Sequence, residues 1–151
     1  MNKCGKAPMV RKPRPSMQEI YLLFARLIAT RSSCLRQSQG AVITSADLTN
    51  ILSVGYNGSL RGGAHTCTED AQPGKCGCFH AEANAILKVT VNDPNKIMFC
   101  TSSPCQNCAE MIIQSQFSAV YYINEYRDPS PVHLLQSFGI TCGRIKPEDW
   151  K

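Results

Sequence analysis

The sequence lacks any apolar run of the roughly 20 residues that a membrane-spanning helix requires. Its first apolar stretch, Ile20 to Ala29, is interrupted by Arg26 and offers no clear small-residue cleavage site, so we predict no secretory signal. Internal repeats are also absent. We therefore expect a protein that is neither embedded in a membrane nor built from repeats, and that works in the cytoplasm.

Acidic residues are missing from the start of the chain, where the first one is Glu19. The formal net charge is +5, from 16 basic and 11 acidic residues, and five basic residues precede Glu19: Lys3, Lys6, Arg11, Lys12 and Arg14. The other basic residues equal the acidic ones in number. We interpret residues 1–15 as a basic flexible tail and residues 16–151 as one domain. A balanced body argues against a nucleic-acid partner, although a basic tail could still contact one.

Apolar periodicity predicts four helices and five strands. The helices are expected over residues 16–31, 80–91, 104–116 and 132–138, and the strands over residues 41–44, 51–56, 97–101, 119–124 and 140–145. Turn residues between positions 47 and 50 join the first two strands into a hairpin. This order predicts an α/β fold, a three-layer α/β/α sandwich with a five-stranded mixed sheet. Residues 57–79 form a long loop, and such loops are usually functional or disordered.

Two short motifs supply candidate metal ligands. His80-Ala81-Glu82 stands at the start of one predicted helix, and Pro104-Cys105-Gln106-Asn107-Cys108 at the start of the next. A closed structural zinc site usually has four protein ligands, whereas a catalytic site keeps one position for water. Three ligands, His80, Cys105 and Cys108, therefore predict a catalytic zinc.

Glu82 is the candidate proton carrier of this site. Zinc lowers the pKa of bound water towards neutrality, which provides a nucleophile for C4 of a cytosine ring. Glu82 would take the proton of the water, pass it to ring N3 and later protonate the leaving amine. The pattern H-x-E followed by P-C-x-x-C marks zinc deaminases that act on nucleobases. The motifs therefore predict hydrolytic deamination.

Beyond these motifs, the chain resembles the deoxycytidylate (dCMP) deaminases of the cytidine deaminase superfamily. The matching blocks are residues 30–34, 40–43, 55–59, 61–62, 80–86, 103–109 and 126–128. The resemblance implies a cytidine deaminase-like fold and conversion of dCMP to dUMP, which supplies thymidylate synthesis. It also implies a homo-oligomer, commonly a hexamer, that dCTP activates and that dTTP inhibits together with Mg²⁺.

The resemblance also implies roles for individual residues. Asn57 would meet the nucleotide in the pocket, Arg31 would lie near the 5′-phosphate and Tyr126 beside the substrate. Ala81 and Ser103, which lie within the matching motifs, are further substrate contacts. Read without the family, Arg31 is an ordinary cation at a helix end and Tyr126 a packing residue at a strand end.

The sequence departs from the family pattern at two positions. Leu60 stands where members usually carry proline, and Gln39 where valine is usual. Neither departure touches the zinc motifs. Leu60 lies in the loop that the resemblance associates with nucleotide effectors, so this departure bears on regulation and not on catalysis.

Nine cysteines are a high and odd number. Without a secretory signal, thiols that bind metal in a reducing compartment fit better than disulfides. Cys34, Cys67, Cys76 and Cys78 lie outside the catalytic trio, and three of them flank glycines in the long loop before His80. We predict that these four thiolates hold a second, structural zinc, with His65 able to replace one of them; the alternative is free, partly buried thiols.

Two alternatives to a dCMP deaminase stay open. One is a deaminase of another cytosine nucleotide, such as dCTP, of a free nucleoside, or of adenosine in tRNA. The other is a non-catalytic zinc module whose basic tail binds nucleic acid. Glu82 separates these classes, because a purely structural zinc site has no need of an acid at that position.

Overall fold

Nine elements follow the predicted order in a computed structural model that describes residues 13–64, 67–68, 70–72 and 74–147. They are α1 (Met17–Ala29), β1 (Gly40–Thr44), β2 (Ile51–Tyr56), α2 (Ala81–Leu87), β3 (Lys96–Ser102), α3 (Gln106–Gln114), β4 (Phe117–Asn124), α4 (Ser130–Ser137) and β5 (Thr141–Arg144). None of the helices in these ranges has the length and apolar character that crossing a membrane demands.

The five strands form one mixed sheet in the order β2-β1-β3-β4-β5. β1 pairs antiparallel with both β2 and β3. β4 pairs parallel with β3 on one side and with β5 on the other. The predicted hairpin is therefore β1–β2, and the predicted five-stranded mixed sheet is confirmed. The carboxyl ends of β3 and β4 lie beside the amino end of β1, at the edge where α/β proteins usually bind ligands.

Helices cover both faces of the sheet, which confirms the three-layer α/β/α sandwich. On one face, α1 buries Leu22 and Ala25 against Val42 of β1 and Phe99 of β3. On the other face, the core contains residues from α2, α3 and α4 packed on the strands. As the sequence predicts, α1 begins with a capping box: the Ser16 hydroxyl accepts from the Glu19 amide, and the Glu19 carboxylate accepts from the Ser16 amide.

Three helices are shorter than the sequence predicts. α1 covers Met17–Ala29 instead of residues 16–31. α2 ends at Leu87 instead of Val91, because the β-branched run that begins at Val89 disfavours helix. α3 begins at Gln106 instead of Pro104, since the backbone of Cys105 is extended (φ −77°, ψ 174°) and caps the helix. The correction places a candidate zinc ligand at the helix cap rather than inside the first turn.

The division into a tail (1–15) and one domain (16–151) stays a prediction. Residues 1–12 of that tail, including Cys4, lie outside the described residues, as does His65.

Candidate active site

The two predicted zinc motifs meet at the ligand-binding edge of the sheet. His80 is the N-cap of α2 and Cys105 is the N-cap of α3, so both side chains lie at helix starts. Cys108, one turn into α3, is buried. The Nδ1 of His80 lies 3.4 Å from the Sγ of Cys105 and 3.5 Å from the Sγ of Cys108. His80 and Cys105 are 25 positions apart in the sequence, and the fold brings the three candidate ligand atoms to one point.

These separations suit a zinc ion. Zn–S bonds of about 2.3 Å and Zn–N bonds of about 2.1 Å at tetrahedral angles imply N···S separations of about 3.6 Å. All three ligand atoms lie within 4.8 Å of one another. The donor set, one imidazole and two thiols, is also the one that zinc prefers over magnesium or calcium. The trio therefore fits zinc in both geometry and chemistry.

The electrostatics of the trio favour a thiolate. The hydrogen bond from Cys108, followed by the one from His80, lowers the pKa of Cys105 to about 4. The hydrogen bond with Cys105 raises the pKa of His80 to about 9. The pKa of Cys108 is raised, because its thiol is the donor in the bond to Cys105 and because it is buried. The Sγ of Cys105 therefore carries a negative charge at the point where a cation would bind.

Glu82 lies beside the trio and is 9% exposed. One carboxylate oxygen, Oε2, is 3.7 Å from the Sγ of Cys108. Burial raises the pKa of the Glu82 carboxyl above its usual value. A buried carboxyl with a raised pKa is a candidate for proton transfer in a functional site.

α2 is held tightly to β2, and this contact positions His80 and Glu82. The Ser53 hydroxyl donates to the Ala85 carbonyl at 2.6 Å, and the Asn84 amide donates to the Tyr56 carbonyl at 2.8 Å. At Gly55, an added Cβ would lie 2.2 Å from the Ala81 carbonyl oxygen. The absence of a side chain at Gly55 therefore lets the helix backbone rest directly on the strand.

A cavity of about 260 Å³ opens over this site. His80, Glu82 and Cys105 line it together with four of the predicted substrate contacts: Asn57, Ala81, Ser103 and Tyr126. The Tyr126 amide donates to the buried Ser103 hydroxyl at 2.7 Å, which ties the segment after β4 to the loop before α3. Arg31 is exposed beyond the end of α1 and is not among the residues lining this cavity. The roles of these five residues stay predictions.

Five residues that line the cavity were not predicted from the sequence as site residues: Arg36, Gln37, Gln39, Gly74 and Ser102. The first three lie in the segment between α1 and β1, where no periodic pattern or spacing rule indicates a site. The one signal was Gln39 itself, a polar residue where the family pattern has valine.

The four remaining candidate ligands also come together. The Sγ of Cys34 lies 3.5 Å from that of Cys67 and 4.0 Å from that of Cys76, and with Cys78 the four sulfur atoms all lie within 4.8 Å of one another. Tetrahedral Zn–S bonds imply S···S separations of about 3.8 Å. Burial acts to raise the pKa of Cys34, but hydrogen bonds from the backbone amides of Gln37 and Arg36 outweigh it and lower this pKa to about 7. The cluster fits a closed four-thiolate site.

An α/β/α sandwich with an imidazole–dithiol centre beside a buried carboxylate defines a class of zinc-dependent hydrolases. The sequence profile of the family described as "Cytidine and deoxycytidylate deaminase zinc-binding region" matches residues 15–124. The chain therefore belongs to the family of cytidine and deoxycytidylate deaminases.

Individual relatives agree with this assignment. The chain is 32% identical to the deoxycytidylate deaminase of Saccharomyces cerevisiae over 85% of its own length, and 32% identical to ComE operon protein 2 of Bacillus subtilis over 90% of its own length and 75% of that protein. It spans less than half the length of two yeast relatives: 44% of the Saccharomyces cerevisiae enzyme and 46% of the deoxycytidylate deaminase of Schizosaccharomyces pombe. The crystal structure of dCMP deaminase from the cyanophage S-TIM5 in complex with dCMP and dUMP has a TM-score of 0.77 and 31% identity, covering 89% of this chain and 100% of that chain.

Proposed function

We propose that this protein catalyses the hydrolytic deamination of dCMP to dUMP. The observation that carries the proposal is the buried Glu82 beside three convergent candidate zinc ligands, with Glu82, His80 and Cys105 lining one cavity. Relatives named deoxycytidylate deaminase and the phage enzyme bound to dCMP and dUMP support dCMP as the substrate.

His80, Cys105 and Cys108 would hold the zinc. Bound there, zinc would supply an activated water as nucleophile and stabilise developing negative charge. With three protein ligands, the centre has one position to spare for that water. The helix starts that carry the ligands are packed into the core, so the trio is preorganised by the fold.

Glu82 would move the protons. Its carboxylate takes one proton from the attacking water as the new C4–O bond forms, and delivers it to ring N3. In the second half of the reaction, the C4–N4 bond breaks as the carboxylate passes the proton of the new C4 hydroxyl to the departing nitrogen. The nitrogen leaves as ammonia, and a carbonyl remains at C4. Burial supports this role, because it raises the pKa of the Glu82 carboxyl and so strengthens it as a proton acceptor.

We further propose that Cys34, Cys67, Cys76 and Cys78 hold a second, structural zinc. The four sulfurs span the end of α1 and the long loop that precedes His80, so a metal there would fix the approach to the catalytic ligands. Metal analysis of the purified protein should find two zinc ions per chain. One zinc per chain with full activity would contradict a second site.

Replacing Glu82 by Gln tests the catalytic proposal. Gln has the same shape but cannot accept a proton, so kcat for dCMP should fall by at least about 10²-fold while zinc content stays unchanged. The assay should compare deoxycytidine, dCMP, dCTP and CMP. Absence of turnover for every compound would refute the deaminase, and a preference for dCTP would favour the other cytosine nucleotide.

Regulation and assembly are predictions of the family resemblance, whereas the cytoplasmic location is a prediction from the use of cysteine in the sequence. Activation by dCTP, inhibition by dTTP with Mg²⁺, and a hexamer can be checked by kinetics with each effector and by light scattering. A cytoplasmic location and a role in thymidylate supply need cell fractionation and a deletion strain. A non-catalytic zinc module would instead leave biological activity unchanged in the Glu82→Gln variant.

A further inference from the structure

The side chain of Gln39 is oriented by Thr101. The Thr101 hydroxyl accepts a hydrogen bond from the Gly40 amide at 3.1 Å, and its own hydrogen is directed to the Oε1 of Gln39, which is nearer than the Gly40 carbonyl at 3.5 Å. The Nε2 of Gln39 has no hydrogen-bond partner within the described residues. Because Gln39 lines the cavity, its amide offers two N–H donors to a ligand there.

Asn57 lies next to Gln39 and is oriented as strictly. Its Oδ1 accepts from the Ser32 hydroxyl at 2.6 Å and from the Gln39 backbone amide at 2.8 Å. Its Nδ2 donates one hydrogen to the Gln37 carbonyl at 2.7 Å. Both lone-pair directions and one N–H are therefore used, and Asn57 can give a ligand one donor only.

Arg36 adds a positive charge to the same wall. Among the described residues that line the cavity, it is the only arginine or lysine. Its Nη1 donates to the Gln72 carbonyl at 2.9 Å, which holds the guanidinium against the loop while the other N–H groups stay available. The guanidinium fork suits a phosphate group.

The residues that line the cavity fall into groups of different chemistry. One group is Glu82 with the candidate zinc ligands His80 and Cys105, where the reacting edge of the base must lie. A second group, which we call the donor wall, is Arg36, Gln39 and Asn57, and it presents hydrogen-bond donors and no carboxylate. The cluster thiols also line the cavity: Cys34, Cys76 and Cys78. An oxygen-rich, anionic group complements the donor wall, and the sugar–phosphate of a nucleotide is such a group.

We propose that Arg36 and Gln39 are specificity-determining residues that bind the sugar–phosphate of the substrate. Arg36 contacts the 5′-phosphate, and the Nε2 of Gln39 donates to a sugar or phosphate oxygen. This inference rests on the proposed deamination of a cytosine nucleotide. It assigns the phosphate contact to Arg36, inside the cavity, rather than to Arg31.

Steady-state kinetics of the holoenzyme with dCMP and deoxycytidine test both contacts. A hydrogen bond to a charged group contributes about 1.5–3 kcal/mol, so Arg36→Gln should raise KM for dCMP by about 10- to 100-fold with little change in kcat, and leave KM for deoxycytidine within about twofold. Arg14→Gln, an exposed arginine before α1, is the charge-matched control.

For Gln39, the informative pair is Gln39→Leu and Gln39→Glu. The Gln39→Glu variant keeps an oxygen that accepts the hydrogen bond from Thr101, but it has no N–H to donate to the substrate. It therefore tests substrate binding while the contact with Thr101 is retained. Leu should raise KM for dCMP by about 3- to 10-fold, as expected for one neutral hydrogen bond, and Glu by more because it repels the phosphate. If KM for deoxycytidine rises equally in the Leu variant, the acceptor is a sugar oxygen; if it does not, the acceptor is the phosphate.

Three results would overturn the proposal: unchanged KM in Arg36→Gln, an effect in Arg31→Gln but not in Arg36→Gln, or unchanged KM in both Gln39 variants. Calorimetric binding of dUMP and deoxyuridine to the same zinc-loaded variants provides a readout without turnover. If the wild-type protein deaminates none of the cytosine compounds, the proposed function fails, while a loss of dUMP affinity in Arg36→Gln would still support the donor wall.

Discussion

The contact between Gly55 and α2 allows a quantitative prediction for the variant Gly55→Ala. The new Cβ would lie 2.2 Å from the Ala81 carbonyl oxygen and 2.6 Å from the Ala85 backbone nitrogen, whereas ordinary contact begins at 3.4 Å. Both neighbours are backbone atoms of one helix, so no side chain can turn away. The helix must retreat by about 1.2 Å along the shorter contact, or β2 must move by as much.

This displacement acts on the site because α2 carries Glu82 and begins directly after His80. Overpacking of a well-packed core costs about 1–3 kcal/mol. A misplacement of about 1 Å in catalytic groups can cost on the order of 10²-fold in rate. We therefore expect a moderate loss of stability in Gly55→Ala and a disproportionate loss of kcat for dCMP.

The measurements are urea unfolding, kcat at a temperature where the variant is folded, and zinc content. Gly63→Ala is the matched control, since the nearest atom to its added Cβ is the Leu60 carbonyl oxygen at 3.3 Å, a tight contact but not an overlap. If Gly55→Ala equals the wild type in both stability and kcat, the helix is not held by this backbone contact and the reasoning is refuted.

Three further variants test separate parts of the structure. Ser16→Ala removes the N-cap of α1 and should lower the free energy of unfolding by about 1 kcal/mol without changing KM; a change in KM would argue against a purely structural cap. Ser53→Ala removes the buried bond to the Ala85 carbonyl and should cost about 1 kcal/mol in urea unfolding, and no loss would mean that this bond contributes nothing net. Cys67→Ala should reduce zinc from two ions per chain to one, as measured by atomic emission, whereas an unchanged metal content would exclude Cys67 as a ligand.

Much of the architecture was predictable from local patterns. The capping box at Ser16, the hairpin, the order of the elements and the mixed sheet follow from periodicity and turn residues. The errors lie at helix ends, where β-branched residues end α2 at Leu87 and an extended Cys105 delays α3. These ends depend on competition between backbone preferences and packing, which a periodic pattern does not register.

The sequence predicted the candidate metal ligands of the site, but not all of the residues that line its cavity. Spacing alone predicted His80, Cys105 and Cys108, because zinc ligation restricts which residues can serve and how closely they must follow one another. Arg36 and Gln39 carry no comparable pattern. The Nε2 of Gln39 is directed to a ligand only because the hydroxyl of Thr101, 62 positions later, donates a hydrogen bond to the Oε1 of Gln39.

The sequence by itself determined the order of the elements and predicted the candidate zinc ligands and the acid that accompanies them, since these depend on residue types at short spacing. Only the tertiary structure decided how the cavity is shaped and which side chains line it. Ser32 and Asn57 are 25 positions apart, yet the Ser32 hydroxyl donates to the Oδ1 of Asn57 at 2.6 Å. Such proximity arises from packing of the whole chain, because non-local contacts depend on how the layers fit together and not on any neighbouring residue.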